Sequence, residues 1–238
     1  IVARPVWSAH NAGHRSSLSG LIKVLGEPDF AVTPARIVAM RRALARLQTP
    51  ARRVASLEFL TTEEIDVLCA CAARQTFRTA TPQIEHRGNR VFQDFDVCFP
   101  APREGAFAKL AGLLEASINS TSASLPEPPL APGILFDDFA IQRYPAGSRG
   151  IGIHRDGKRY RGIVVIVTLA GESRLFTCDD RQGHGARRID DRPGRIVLLS
   201  AEGFAAREGE DARPLHGVDH IGSGRLSLGF RCLSPAAA

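Results

Sequence analysis

The C-terminal half of this chain breaks into short segments of alternating apolar and polar residues, at about 135–144, 150–155, 162–169, 173–178, 186–189, 195–200, 214–218 and 225–232. Turn signals separate them at Pro145-Ala146-Gly147, Gly171, Gly183 to Gly185, Arg192-Pro193-Gly194 and Gly222 to Gly224. Strands this short are stable only when each buries one face against a second layer. Seven or eight of them at this spacing therefore predict a mainly β fold, a jelly roll or sandwich, with helices packed outside.

The helices are expected upstream. Ile37, Val38, Met40, Leu44 and Leu47 form a stripe at helical spacing, with Arg41, Arg42 and Arg46 elsewhere on the surface, which predicts a docked helix with a solvated basic face. Val54 to Phe59 reads as a strand. Thr61-Thr62-Glu63-Glu64 then supplies a capping box for a helix reaching about Gln75. Val91 to Phe99 alternates as one strand after a turn within Glu85 to Arg90, where Gly88 and Asn89 suit a reversal. Ala106 to Ile118 is a further helix, and Leu125 to Pro132 a proline-rich connector.

Charge divides the chain. Its net charge is +6, yet residues 1–53 hold nine Arg or Lys against Glu27 and Asp29, so the remainder is close to neutral. The expected organisation is a basic, partly flexible extension over 1–53 followed by one jelly-roll domain over 54–238. The opening at Ile1 is what a trimmed product would show, and the opening residues carry no signal-peptide pattern. The longest apolar run, Gly162 to Gly171, is about half the length a membrane helix needs, and so reads as a buried strand with no membrane partner. Five cysteines at irregular spacing, without a C-x-x-C pair, make a reducing, cytoplasmic compartment the simplest expectation.

Two patterns carry chemistry. In "GIGIHRD", His154 and Asp156 lie two apart at a strand position and so share a face, while Ile151 and Ile153 point into the opposite layer. An imidazole and a carboxylate so placed are two-thirds of a facial triad for non-haem Fe(II); a surface His beside a turn-forming Asp is the competing reading. In "PLHGVDHIGSGRLSLGFR", His216 and His220 are both available as a third ligand. The strand after them sets Arg225, Ser227, Gly229 and Arg231 on one face against Leu226, Leu228 and Phe230 on the other. Two inward arginines need anionic partners, which a dicarboxylate would supply.

These residues together resemble the Fe(II)- and 2-oxoglutarate-dependent dioxygenases: the H-x-D of His154 and Asp156, a distal His about sixty residues on, and an Arg nine residues after His216. The closing R-x-S-x-x-x-R is similar to that of the AlkB-type nucleic-acid dealkylases, with Gly229 where those have Thr. "QRYPAGSRGIGIHRD" is similar to their N-x-Y-x-P-G…H-x-D stretch, with Gln142 in the Asn place and Tyr144 in the Tyr place. "FLTTEEID" is similar to the entry of many hydroxylases of the wider superfamily. Residues 1–53 match nothing in the pattern.

The resemblance implies a double-stranded β-helix (jelly roll), with His154, Asp156 and His216 as metal and catalytic residues. Fe(II), 2-oxoglutarate and dioxygen are the implied cofactors, with ascorbate as an accessory reductant. Arg225 and Tyr144 are expected to bind the distal carboxylate of 2-oxoglutarate. Arg231 is expected near its other carboxylate or Asp156, and Gln142 and Ser227 beside them. His216 fits the pattern better than His220, which lies only five residues before Arg225. Because Asp156 is present, the halide-binding variant of the family is disfavoured.

Three functions follow as expectations. The first is hydroxylation of a small molecule or a peptide side chain. The second is AlkB-like dealkylation of a base or oxidation of a methylpyrimidine, with nucleic acid gripped by the basic N-terminal segment. Against it, the chain beyond residue 53 has no positive excess, and the whole chain holds only Trp7, Tyr144 and Tyr160 besides its phenylalanines for stacking a flipped base. The third, a non-enzymatic jelly-roll binding domain, predicts loss of a ligand or of the co-substrate arginine, and neither loss is seen. Loops at 83–90, 155–161, 177–188 and 201–213 are where substrate specificity is expected.

Overall fold

The computed structural model describes residues 28–86 and 88–233. The opening segment up to residue 27, with His10 and His14, lies outside the described residues. Helix α1 (Pro34–Gln48) starts with Pro at its first turn, where the missing N–H costs nothing, and with Thr33 Oγ1 accepting from the Arg36 amide at 3.3 Å. Helix α2 (Thr62–Ala73) has the expected capping box: the Glu64 amide donates to Thr61 Oγ1 at 3.3 Å, and the Thr61 amide donates to Glu64 Oε2 at 2.9 Å. Helix α3 (Gly105–Ala123) extends past its expected end.

Before the connector lie the strands β1 (Val54–Glu58), β2 (Arg78–Thr79), β3 (Gln83–His86), β4 (Asn89–Asp94) and β5 (Asp96–Cys98). After it come β6 (Asp138–Tyr144), β7 (Gly150–His154), β8 (Ile163–Gly171), β9 (Arg174–Cys178), β10 (Arg187–Arg188), β11 (Arg195–Ser200), β12 (Leu215–Asp219) and β13 (Arg225–Arg231). They pair into a seven-stranded sheet, β1-β11-β8-β13-β6-β5-β2, and a six-stranded sheet, β10-β9-β12-β7-β4-β3. This is the double-stranded β-helix that the resemblance implies, and it is the jelly roll of the two architectures that the turn spacing left open.

One expected strand is two. The alternation from Val91 to Phe99 is interrupted at Phe95, where the chain passes from the smaller sheet (β4) to the larger one (β5). Phe95 is buried with its ring 4.9 Å from that of Tyr144. A crossing residue with an inward side chain preserves the sequence period, so the break has no signature in the pattern. The expected turn holds at Gly88, whose φ is +74°, and closes the β3–β4 hairpin.

The period-two alternation divides the core into layers. From β8, Ile163, Val165, Val167 and Leu169 join Leu228 and Phe230 of β13 against the helices, among them Met40, Leu44 and Leu47 of α1. Val164 of β8 faces the other way, with Tyr144, Leu175 and Val218, into the space between the sheets. Each fully buried aliphatic or aromatic side chain contributes about 1.5–3 kcal/mol. The larger sheet is thus held rigid by the helical layer, and its inner face is left for polar side chains.

Candidate metal centre

β7 reaches the site through a backbone that only glycine fits. Gly150 has φ +84°, and a Cβ there would lie 1.8 Å from the Val218 carbonyl oxygen of β12. β7 and β12 can therefore approach closely, and their register sets His154 opposite His216. The two rings lie 4.3 Å apart between centroids. Asp156, just beyond the end of β7, turns to the same spot. One ligand atom from each of His154, Asp156 and His216 lies within 4.8 Å of the others, and His216 Nε2 is 3.7 Å from Asp156 Oδ2.

Both imidazoles are oriented through their other nitrogen. His154 Nδ1 donates to the Gly152 carbonyl at 2.8 Å, and His216 Nδ1 donates to the Pro214 carbonyl at 3.1 Å. A carbonyl can only accept, so the proton sits on Nδ1 and the Nε2 lone pair stays free for a cation. Burial, reinforced by repulsion from His216, pulls the His154 pKa down to about 4, which keeps that lone pair unprotonated at neutral pH. Burial pushes the Asp156 carboxyl up, but His216, Arg231 and His154 outweigh it and hold its pKa below the usual value. Two imidazoles and one carboxylate, converging from two strands and a loop, form a donor set suited to Fe(II).

His220 stands apart. It lies on the surface at φ +48°, with Nδ1 3.0 Å from Asp219 Oδ1. His216, opposite His154 in the register, is the histidine that the structure brings to Asp156.

All eight residues singled out from the sequence line one cavity: Gln142, Tyr144, His154, Asp156, His216, Arg225, Ser227 and Arg231. The register of β13 explains why. Arg225 pairs with Tyr144 and Ser227 with Gln142 across β6, so alternate residues of both strands share the inner face. Burial raises the Tyr144 pKa to about 12 against the opposing pull of Arg225 and Arg231, so its hydroxyl keeps its proton as a donor. Ile151, Val164, Ile166, Leu175 and Val218 give the cavity apolar walls; Ile151, expected in the layer opposite His154, lines it as well, beside the bulge that shifts the β7–β12 register between His216 and Val218.

The arginines do not wait for an outside anion, as the sequence alone led one to expect. Arg231 Nη1 donates to Asp138 Oδ1 at 3.3 Å, and its Nε lies 3.6 Å from Asp156 Oδ1. Arg225 Nη2 lies 3.0 Å from both Asp191 Oδ2 and Thr168 Oγ1. Sequence reading missed Asp138, Asp191 and Thr168, which meet the arginines only through strand pairing and a loop. For Asp138 a signal exists, because antiparallel pairing of the segments 135–144 and 225–232 puts it opposite Arg231; for Asp191 there is none.

Arg225 remains incompletely satisfied: its Nε and Nη1 are buried without a partner. Buried guanidinium donors are costly to leave unpaired. An anion in this cavity would partner one of them, so the cavity fits both a metal and a carboxylate ligand.

The loop at 201–213 is drawn into the site. It carries two 3₁₀ turns, Phe204–Ala206 and Gly209–Ala212. Ser200 Oγ donates to the Ala212 carbonyl at 2.6 Å, and Arg213 Nη1 donates to the Asp156 carbonyl at 2.7 Å. No helix among the described residues is long and apolar enough to cross a membrane, and all five cysteines are free.

No protein-family model matches this chain, and no curated protein matches it. Solved structures do. A prolyl hydroxylase from Trichoplax adhaerens, in complex with a hypoxia-inducible-factor oxygen-degradation-domain peptide, is 14% identical with a TM-score of 0.58, covering 87% of this chain and 96% of that one. An oxidoreductase of the 2OG-Fe(II) oxygenase family from Burkholderia pseudomallei is 15% identical with a TM-score of 0.53, covering 83% of this chain and 92% of that one. OsALKBH1 is 17% identical with a TM-score of 0.52, covering 75% of this chain and 97% of that one. The chain shares the double-stranded β-helix of these oxygenases across nearly their whole length.

Proposed function

We propose that the chain is an Fe(II)- and 2-oxoglutarate-dependent dioxygenase that hydroxylates a small molecule or a peptide side chain. The observation that carries this reading is one cavity holding both a His–Asp–His donor group and the unpartnered nitrogens of Arg225. A structural ion pair explains neither half.

His154 and His216 through Nε2, and Asp156 through its carboxylate, would hold the iron on one face, leaving its remaining positions open. When bound, ferrous iron and 2-oxoglutarate supply a two-electron oxidation in which one oxygen atom of O₂ enters the substrate C–H bond and the other enters succinate, with loss of CO₂. Arg225 would take the distal carboxylate of 2-oxoglutarate through charge-assisted hydrogen bonds, helped by the Tyr144 hydroxyl. Arg231, braced by Asp138, would orient Asp156. Gln142 and Ser227 would add polar contacts to the bound acid, and the five aliphatic side chains of the walls would exclude water.

The free cysteines favour a reducing, cytoplasmic setting. The peptide class is supported by the likeness to a hydroxylase solved with a peptide. A nucleic-acid substrate, held with help from the basic segment 1–53, is the second reading, supported by the closing motif and the likeness to OsALKBH1.

The test is succinate formation from 2-oxoglutarate by the purified chain with Fe(II), and ascorbate to keep the iron reduced, beside His154→Ala and Arg225→Ala. Slow turnover abolished by both substitutions is expected, and a screen of metabolites, peptides and alkylated oligonucleotides then separates the substrate classes. No turnover, together with no binding of Fe(II) under anaerobic conditions, would leave a non-enzymatic jelly-roll domain.

A further inference from the structure

Asp191 belongs to no motif. It lies on the loop between β10 and β11 and is only 5% exposed, yet its Oδ2 is 3.0 Å from Nη2 of Arg225, itself 1% exposed. Thr168 of β8 completes a buried triangle: its Oγ1 accepts from the same Nη2 at 3.0 Å and donates to Asp191 Oδ2 at 3.4 Å. The loop is tied to the strand by the Gly194 amide, which donates to the Thr168 carbonyl at 3.1 Å.

This arrangement has a directional consequence. A guanidinium is planar with its five N–H bonds in a fixed fork, so holding one terminal nitrogen from a known side sets where the others point. Here Nη2 is held and Nε and Nη1 have no partner. Without Asp191 the buried cation would lose the carboxylate paired with it, and its side chain would have to be ordered when a ligand arrived.

We propose that Asp191, acting with Thr168, is a positioning residue for co-substrate recognition: it clamps Nη2 of Arg225 so that an unpartnered N–H, from Nη1 or Nε, is held ready for the distal carboxylate of a 2-oxo dicarboxylic acid. This rests on the function proposed above. Because Asp191 already neutralises Arg225, the pull on a second anion is weakened, and recognition depends on placement more than on net charge. Burial pushes the Asp191 pKa up against the pull of Arg225 and Arg188.

The experiment is anaerobic calorimetry on the full chain, measuring Fe(II) affinity first and then 2-oxoglutarate affinity of the iron-loaded protein. Wild type, Asp191→Ala, Asp191→Asn and Thr168→Val are compared. Removing the clamp in Asp191→Ala is expected to weaken 2-oxoglutarate about 30-fold while Fe(II) binding stays within about twofold. Asparagine keeps an acceptor for Nη2, so Asp191→Asn is expected to stay within about threefold of wild type for both ligands. Unchanged 2-oxoglutarate affinity in Asp191→Ala, equal loss of both ligands, or failure of asparagine to restore binding would overturn the inference. Should Asp191→Ala not fold, Thr168→Val carries the test, with a loss of about fivefold for 2-oxoglutarate alone expected and no loss overturning it. If wild type binds Fe(II) but no 2-oxoglutarate, the co-substrate reading falls and this inference with it; if wild type binds both and the variants match it, only this inference falls.

Discussion

Asp138, the first residue of β6, faces Arg231, the last of β13, across the strand pair, and accepts a hydrogen bond from its Nη1 at 3.3 Å. Asp138 also accepts from the Tyr160 hydroxyl at 3.2 Å, and Arg231 reaches on to within 3.6 Å of Asp156. A line of contacts therefore runs from the end of the β6–β13 strand pair to a carboxylate of the His–Asp–His group. Substituting Asp138→Asn removes the charge that braces Arg231, and groups behind metal ligands commonly matter for affinity by about 10–100-fold. Anaerobic Fe(II) titration is expected to show about a tenfold loss with the melting temperature little changed; unaltered affinity would mean that Arg231 holds Asp156 without this brace.

Gly229 makes room for that line. A Cβ there would lie 3.1–3.3 Å from the Arg231 guanidinium, tighter than ordinary contact. The threonine found at this place in the AlkB-type pattern would push Arg231 aside. Gly229→Thr is expected to lower Fe(II) affinity by about as much as Asp138→Asn, and Gly229→Ala by less. Equal affinity in all three proteins would sink the argument.

The two C-terminal histidines are expected to differ completely. His216→Ala removes a buried imidazole opposite His154 and should abolish stoichiometric Fe(II) binding, whereas His220→Ala changes an exposed ring paired with Asp219 and should leave binding unchanged. The same titration reads both, and any loss in His220→Ala would reopen the assignment.

Metal-free stability should depend on pH through His154. Its ordinary pKa of 6.5 is lowered to about 4 in the folded chain by burial and by His216. The unfolded chain therefore takes up a proton on this residue between those values while the folded chain does not. Stability from this group is complete above pH 6.5, falls as the pH drops toward 4, and changes no further below that. Urea midpoints of the metal-free protein between pH 7.5 and 4.5 are expected to fall, and His154→Asn to flatten the slope.

Arg36 and Glu64 join α1 to α2 inside the helical layer. Arg36 donates to Glu64 Oε2, and also to the carbonyls of Phe59 at 2.8 Å and Ala31 at 2.7 Å, while Glu64 closes the capping box. Arg36→Met leaves the carboxylate buried without its cation and is expected to cost about 3 kcal/mol in urea unfolding. A loss below 1 kcal/mol, on the scale of an exposed pair, would show that the carboxylate finds other partners.

Much of the site could be read before any fold was known, because its signals are local. His154 and Asp156 are two residues apart, and Arg225, Ser227 and Arg231 follow one strand's alternation, so nearness in the chain brings the first pair together, although Asp156 lies just past the end of β7, and one strand's geometry brings the second group together. The β4–β5 break at Phe95 was invisible for the converse reason: a strand that changes sheets without changing its period leaves the pattern intact.

The sequence by itself determined most of the strand segments, the capping box of α2 and the identity of most side chains that face inward, since these depend on spacing and on neighbours within a few residues. Tertiary structure decided which charges meet. Asp191 reaches Arg225 from 34 positions away and Asp138 reaches Arg231 from 93, through a loop contact and a β-sheet register. It also chose His216 over His220, because only His216 stands opposite His154 where Gly150 lets β7 and β12 close together. Such pairings are set by the packing of whole layers, in which a one-residue slip turns every side chain to the other face.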